Sequence, residues 1–120
     1  MEEKPNVVII LARCSQNHQL YGMRMEEKLT GQWMADWAFI IKETMAKKEG
    51  YDRTVIHGSF FTYQTFPGCP HCHALNFFQC GSCKKVTCWN GESRNVVCAW
   101  CGNEGKLEGT IESLGAGDDR

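Results

Sequence analysis

Long apolar runs are missing from this sequence. The first, Val7 to Ala12, spans six residues, far short of the roughly 20 that cross a bilayer as a helix. The N-terminus reads Met1-Glu2-Glu3-Lys4-Pro5, acidic where a secretion signal is basic. A reducing, cytoplasmic setting is therefore expected, with no membrane partner. A charge excess is missing too: 13 Lys and Arg face 14 Asp and Glu, a formal net charge of -1. Phosphate contacts that bind nucleic acid regardless of sequence need a basic surplus, so nucleic acid is not an expected partner. Also absent are a His-Glu-x-x-His metalloprotease motif, a Walker loop and a Gly-rich dinucleotide fingerprint, although glycine numbers 12. His57-Gly58-Ser59 has Ser where a zinc deaminase carries Glu. No catalytic residue and no small-molecule substrate are implied.

What is present is a globular composition, 42% hydrophobic and 22% charged, in a length suited to one domain. Eight cysteines stand out, seven of them between positions 69 and 101. Without an export signal, closely spaced cysteines read as metal ligands rather than disulfides. The turn Phe66-Pro67-Gly68 divides a β-rich part, residues 1–66, from a cysteine-rich part, residues 67–120. The two are expected to form one continuous domain.

β-branched residues after Pro5 predict a strand over Asn6 to Ala12, and alternation predicts another over Leu20 to Glu27. Trp33 to Ile41 fits both periods and is read as a strand. A short helix is expected from Lys42 to Glu49, capped by Gly50, followed by a strand over Thr54 to Tyr63. The expected fold class is α+β: an antiparallel β-rich body with one short helix and a C-terminal zinc-ribbon-like segment. The small, charged tail after Ile111 is expected to fray.

Three Cys-x2-Cys pairs occur, Cys69 with Cys72, Cys80 with Cys83 and Cys98 with Cys101, and Cys88 stands alone. Thiolates in such pairs select zinc, which accepts tetrahedral sulfur and brings no redox chemistry. Asn76 to Gln79, Lys85 to Trp89 and Asn95 to Val97 read as a three-strand meander, with Asn90-Gly91 turning the second hairpin. That meander gathers Cys80, Cys83, Cys98 and Cys101 at one edge. Cys88, about 15 Å along the strand from Cys83, belongs to the other edge with Cys69 and Cys72. The fourth ligand there is expected from His71 or His73, with His73 the candidate. A competing partition joins Cys69 and Cys72 to Cys80 and Cys83. Cys14 reads as an ordinary buried thiol, and His57 as structural.

The pieces Pro67-Gly68-Cys69-Pro70-His71-Cys72, Phe78-Gln79-Cys80-Gly81-Ser82-Cys83-Lys84, Cys88-Trp89 and Cys98-Ala99-Trp100-Cys101-Gly102 resemble the C-terminal metal-binding domain of TerY-type tellurite-resistance proteins. The resemblance implies a zinc-ribbon-like module in bacterial chemical-stress systems, with a protein partner. His73 stands where such knuckles usually carry Gly. The residues imply zinc, two ions or at least one. Alternatives are a nucleic-acid-binding ribbon using Lys84, Lys85, Arg94 and Lys106, and a thiol-based metal or oxidant sensor. Trp89 and Trp100 are candidate anchors for a partner or parts of a miniature core. Chelation is expected to unfold residues 67–106 and spare part of the N-terminal sheet.

Overall fold

The computed structural model describes residues 7–42, 54–107, 111 and 113–118. They form ten strands: β1 (Val7–Arg13), β2 (Leu20–Leu29), β3 (Gln32–Ile40), β4 (Thr54–His57), β5 (Ser59–Thr62), β6 (Asn76–Gln79), β7 (Val86–Trp89), β8 (Asn95–Val97), β9 (Glu104–Lys106) and β10 (Ser113–Asp118). The described residues contain no helix, so none is long and apolar enough to cross a membrane. The fold is all-β, and the α+β class expected from the sequence is corrected. The helix expected over Lys42 to Glu49 lies, apart from Lys42, outside the described residues.

The main sheet runs β4-β10-β1-β2-β3-β5, with β7 also on β1 and β6 on β7. The two ends of the six-strand path, β4 and β5, are one stretch of chain bent at Gly58, so the sheet is a nearly closed barrel. Gly58 has φ 137°, and a Cβ there would run into the Gly31 carbonyl oxygen. The Ser59 N–H donates to that same oxygen at 2.8 Å. The strand expected over Thr54 to Tyr63 is thus two strands serving opposite ends of the path. Gly58→Ala should cost about 3 kcal/mol, because a strained φ and a backbone collision coincide. A denaturant melt of this variant that matches the parent would show that the bend is not needed for closure.

Alternation sends Val8, Ile10 and Ala12 of β1 and Tyr21, Met23 and Met25 of β2 into the core. In β3 the core residues are Trp33, Ala35 and Ala38. The step of three follows a register shift opposite Arg24 and Met25, a β-bulge that turns Trp37 outward, 54% exposed. A second, smaller cluster of Ile9, Leu20 and Ile41, flanked by Leu11, Phe39 and Trp100, covers the outer side of β1 and β2.

Two further expectations are corrected. The tail does not fray over 113–118: β10 pairs with β4 and with β1, and Leu114 is 1% exposed in the core. Burying a leucine contributes about 2 kcal/mol, and the backbone is paired along the strand, 113–116 with β4 and 117–118 with β1. The three-strand meander is also replaced. β7 pairs with β6 and, in parallel, with β1, whereas β8 pairs with β9. Asn90 Oδ1 accepts the N–H groups of Glu92 (2.8 Å) and Ser93 (3.0 Å), making a side-chain-capped loop in place of a hairpin turn.

Candidate metal centres

Four short turns share one hydrogen-bond pattern. In each, a cysteine N–H donates to the carbonyl five residues on: Cys14 to Gln19 (2.9 Å), Cys69 to Ala74 (2.8 Å), Cys80 to Lys85 (2.9 Å) and Cys98 to Asn103 (2.9 Å). The same cysteine carbonyl accepts the N–H four residues on, from His18, His73, Lys84 and Gly102 respectively. These four residues have positive φ, 61°, 68°, 65° and 77°. The geometry explains His73: it occupies the left-handed position that closes the turn, where glycine is the unstrained choice.

Each turn also points N–H groups at sulfur. Gln16 donates to Cys14 Sγ (3.4 Å), Ser82 to Cys80 Sγ (3.4 Å) and Trp100 to Cys98 Sγ (3.3 Å), and His71 donates to Cys69. The second cysteine of each pair is served by the N–H two residues on: Ala74 for Cys72, Lys85 for Cys83, Asn103 for Cys101. In the first turn Asn17 stands where the others have that cysteine, and its Oδ1 accepts the equivalent N–H, from Gln19, at 2.9 Å. Cys14-Ser15-Gln16-Asn17 is therefore a knuckle with an amide in place of its second thiol.

Two sets of four sulfurs result, each set lying within 4.8 Å of one another: Cys14, Cys69, Cys72 and Cys88, and Cys80, Cys83, Cys98 and Cys101. The second set unites the four cysteines that the meander argument grouped, although the meander itself is not formed. The first contains Cys69, Cys72 and Cys88 with Cys14, where the sequence reading placed His73 and took Cys14 for an ordinary buried thiol. Neither His71 nor His73 is among the eight. His71 Nε2 donates to the Leu20 carbonyl at 3.0 Å and sets its ring edge against Tyr21. The competing partition, Cys69 and Cys72 with Cys80 and Cys83, is not the one formed.

Strand register explains why Cys14 arrives. β1 and β7 pair in parallel with Ala12 beside Val86 and Arg13 beside Thr87, and one more step puts Cys14 beside Cys88. Cys88 fills the ligand place that Asn17 cannot, and its Sγ accepts the Ser15 N–H at 3.1 Å. The signal available in the sequence was the likeness of Cys14-Ser15-Gln16-Asn17-His18 to Cys69-Pro70-His71-Cys72-His73.

The sulfur geometry fits a metal ion. All eight cysteines are free. Neighbouring sulfurs stand 3.5 Å apart for Cys72 and Cys88, 3.6 Å for Cys80 and Cys101, and 3.6 Å for Cys83 and Cys98. A disulfide needs about 2.05 Å, whereas tetrahedral thiolate bonds of about 2.3 Å set sulfurs roughly 3.8 Å apart. Both groups could hold metal ions.

The thiols of each group divide their protons unequally. The hydrogen bond from Cys69 holds Cys88 down at about 5, against the opposing effect of burial. Cys69, as its donor and buried, is pushed well up, and burial pushes Cys72 up to about 11. In the other group burial opposes ionisation of Cys80. The N–H groups of Cys83 and Ser82 and the thiol of Cys101 nevertheless bring it down to about 7. Cys83 is pushed up to about 12, chiefly by burial. Binding a metal ion displaces the protons that the coordinating thiols still carry.

The groups sit differently in the molecule. Cys14, Cys69 and Cys88 belong to the main core, at 0%, 0% and 1% exposure, with half-buried Cys72 packed against it beside a cleft of about 510 Å³. The other group lies outside both apolar clusters. It is docked by Trp100, whose Nε1 donates to the Val86 carbonyl (2.7 Å) and whose ring lies between Arg13 and Lys85, each 4.4 Å from its centroid. Trp100 is therefore part of the smaller cluster on the barrel's outer side, and Trp89 donates its Nε1–H to the Ser93 carbonyl. Comparison with protein-family models, curated proteins and solved structures gives no match. The tellurite-resistance resemblance accordingly rests on the cysteine pattern alone.

Proposed function

We propose that this chain is a non-enzymatic zinc-binding module of the cytoplasm, one zinc in each four-sulfur group, serving protein interaction in a bacterial chemical-stress system of the tellurite-resistance type. The observation that carries the reading is the convergence of two sets of four sulfurs, each within 4.8 Å. Zinc suits them because it is soft enough for sulfur, takes tetrahedral geometry and undergoes no redox change. Four thiolates fill that geometry and leave no position for water or substrate, so neither ion is placed for catalysis. The eight ligands are Cys14, Cys69, Cys72 and Cys88, and Cys80, Cys83, Cys98 and Cys101.

A role in protein interaction is supported by aromatic rings on neighbouring stretches along β3 and β5. Trp37, Phe61 and Tyr63 are 54%, 48% and 43% exposed, and Trp and Tyr are enriched among residues that dominate interfaces. The nucleic-acid alternative is the weaker one, since Lys85 of its four cations lies over the Trp100 ring. The sensor alternative is favoured by one observation, the exposure of Cys101.

Elemental analysis of protein purified without added metal tests the reading. Two zinc ions per chain are expected; metal-free, well-folded protein would refute it.

A further inference from the structure

We propose that the group Cys80, Cys83, Cys98 and Cys101 is an exchangeable metal site, taking up and giving up a soft divalent ion while the barrel stays folded, with Cys101 the first ligand to leave. The inference rests on the reading of both groups as zinc sites. The exchange is a ligand substitution: an incoming thiolate or chelator nitrogen bonds to the ion as the Cys101 sulfur–metal bond breaks. No oxidation state changes.

Access separates the two groups. Cys101 is exposed and Cys83 partly so, whereas three of the four residues in the other group are sealed in the main core. An attacking ligand therefore meets Cys101 first.

Attachment separates them as well. The Cys80 knuckle is the turn joining β6 to β7, and the Cys98 knuckle is the turn of the β8–β9 hairpin. Among the described residues, β8 and β9 pair only with each other. Apart from the ion, the described links from the Cys98 knuckle to the barrel are few. The Ala99 N–H donates to Thr87 Oγ1 (3.2 Å), and Trp100 makes its bond to Val86 and its stack between two cations. Removing the ion from this group frees a hairpin. Removing it from the other group takes four ligands from the packing around β1, β7 and the Cys69 turn.

Trp100 links the site to a reporter. Its N–H donates to Cys98 Sγ, and its ring closes the outer cluster against Ile9, Leu20 and Ile41. Departure of the ion removes the sulfur's fixed position and loosens the ring.

The test challenges the full, zinc-loaded chain with excess chromophoric chelator, following zinc release, tryptophan emission and far-ultraviolet circular dichroism together. Two well-separated phases are expected, the first releasing one equivalent from the exposed group before the second empties the core group. The fast phase should carry an emission change that disappears in Trp100→Phe, and should leave the strand signal unchanged. Cys101→Ser should abolish the fast phase and keep one zinc in a folded barrel. Exchange of cadmium into the unaltered protein, followed by its magnetic resonance, should show one site filling before the other. Release of both ions in one phase with loss of strand signal overturns the proposal, as does loss of the slow phase in Cys101→Ser. A chain purified without zinc would count against the zinc reading itself, which keeps the two failures distinct.

Discussion

Complete removal of zinc should unfold the barrel as a whole, including β1 to β3, which hold only one cysteine at their border. From the sequence alone, chelation is expected to spare part of the N-terminal sheet. The structure argues for a wider effect, because Cys14 directly follows β1 inside the core and its group joins β1, β7 and the Cys69 turn. A structural zinc contributes apparent folding free energy on the order of 10 to 16 kcal/mol near neutral pH in small zinc peptides. That is comparable to the whole net stability of a domain, about 5 to 15 kcal/mol. Without the ion, four sulfurs in and against the apolar core lose the bond that ties β1, β7 and the Cys69 turn together, and burial and the adjoining sulfurs push the ionisation of Tyr21 upward. Amide spectra recorded after both ions have left should collapse for residues 7–40 and 76–89 alike. Persistence of dispersed β1 to β3 resonances in fully metal-free protein would show that the barrel stands without its inner ion.

The second large effect concerns the amide knuckle. Cys88→Ala should lose the inner ion, with affinity reduced by more than about 100-fold, because one of four thiolates is gone where even outer contacts matter by 10- to 100-fold. The variant should melt far below the parent or be unfolded outright. Adding Asn17→Cys to that variant should restore the second ion and most of the lost melting temperature. The reason is geometric. Asn17 Oδ1 already receives the N–H that Cys72, Cys83 and Cys101 receive in their turns. A thiol at position 17 therefore completes two facing knuckles, as in the outer group. Alanine at position 88 leaves room for it and adds no polar atom to a residue that is 1% exposed. Zinc stoichiometry and thermal melts of the two variants, with Asn17→Cys alone as the reference, measure the effect. If the double variant binds no better than Cys88→Ala, the four turns are not equivalent.

Local pattern revealed much of this protein. The strands over Asn76–Gln79 and Asn95–Val97 match expectation residue for residue, and β1, β2, β3 and β7 match within two residues at each end. The three Cys-x2-Cys knuckles are visible because a turn of six residues is specified by its own backbone bonds and needs nothing distant. Other features misled for equally local reasons. Asn90-Gly91 has hairpin chemistry, yet Asn90 spends its side chain capping the loop. The residues of 113–118 are small and weakly apolar, and only Leu114 announces a strand that owes its order to two neighbours. Cys14 looked ordinary because its knuckle carries Asn17 in place of sulfur.

By itself the sequence determined where the three Cys-x2-Cys pairs fall and that strands dominate the described residues around them. Both follow from spacing within a few residues, where covalent connection alone brings groups together. Only the tertiary structure decided which sulfurs come together, that β4 and β5 close the barrel through Gly58, and that β8 pairs with β9 and not with β7. Those choices depend on pairing between strands far apart in the chain. Parallel alignment of β1 with β7 carries Cys14 to Cys88, and no short-range pattern encodes that register.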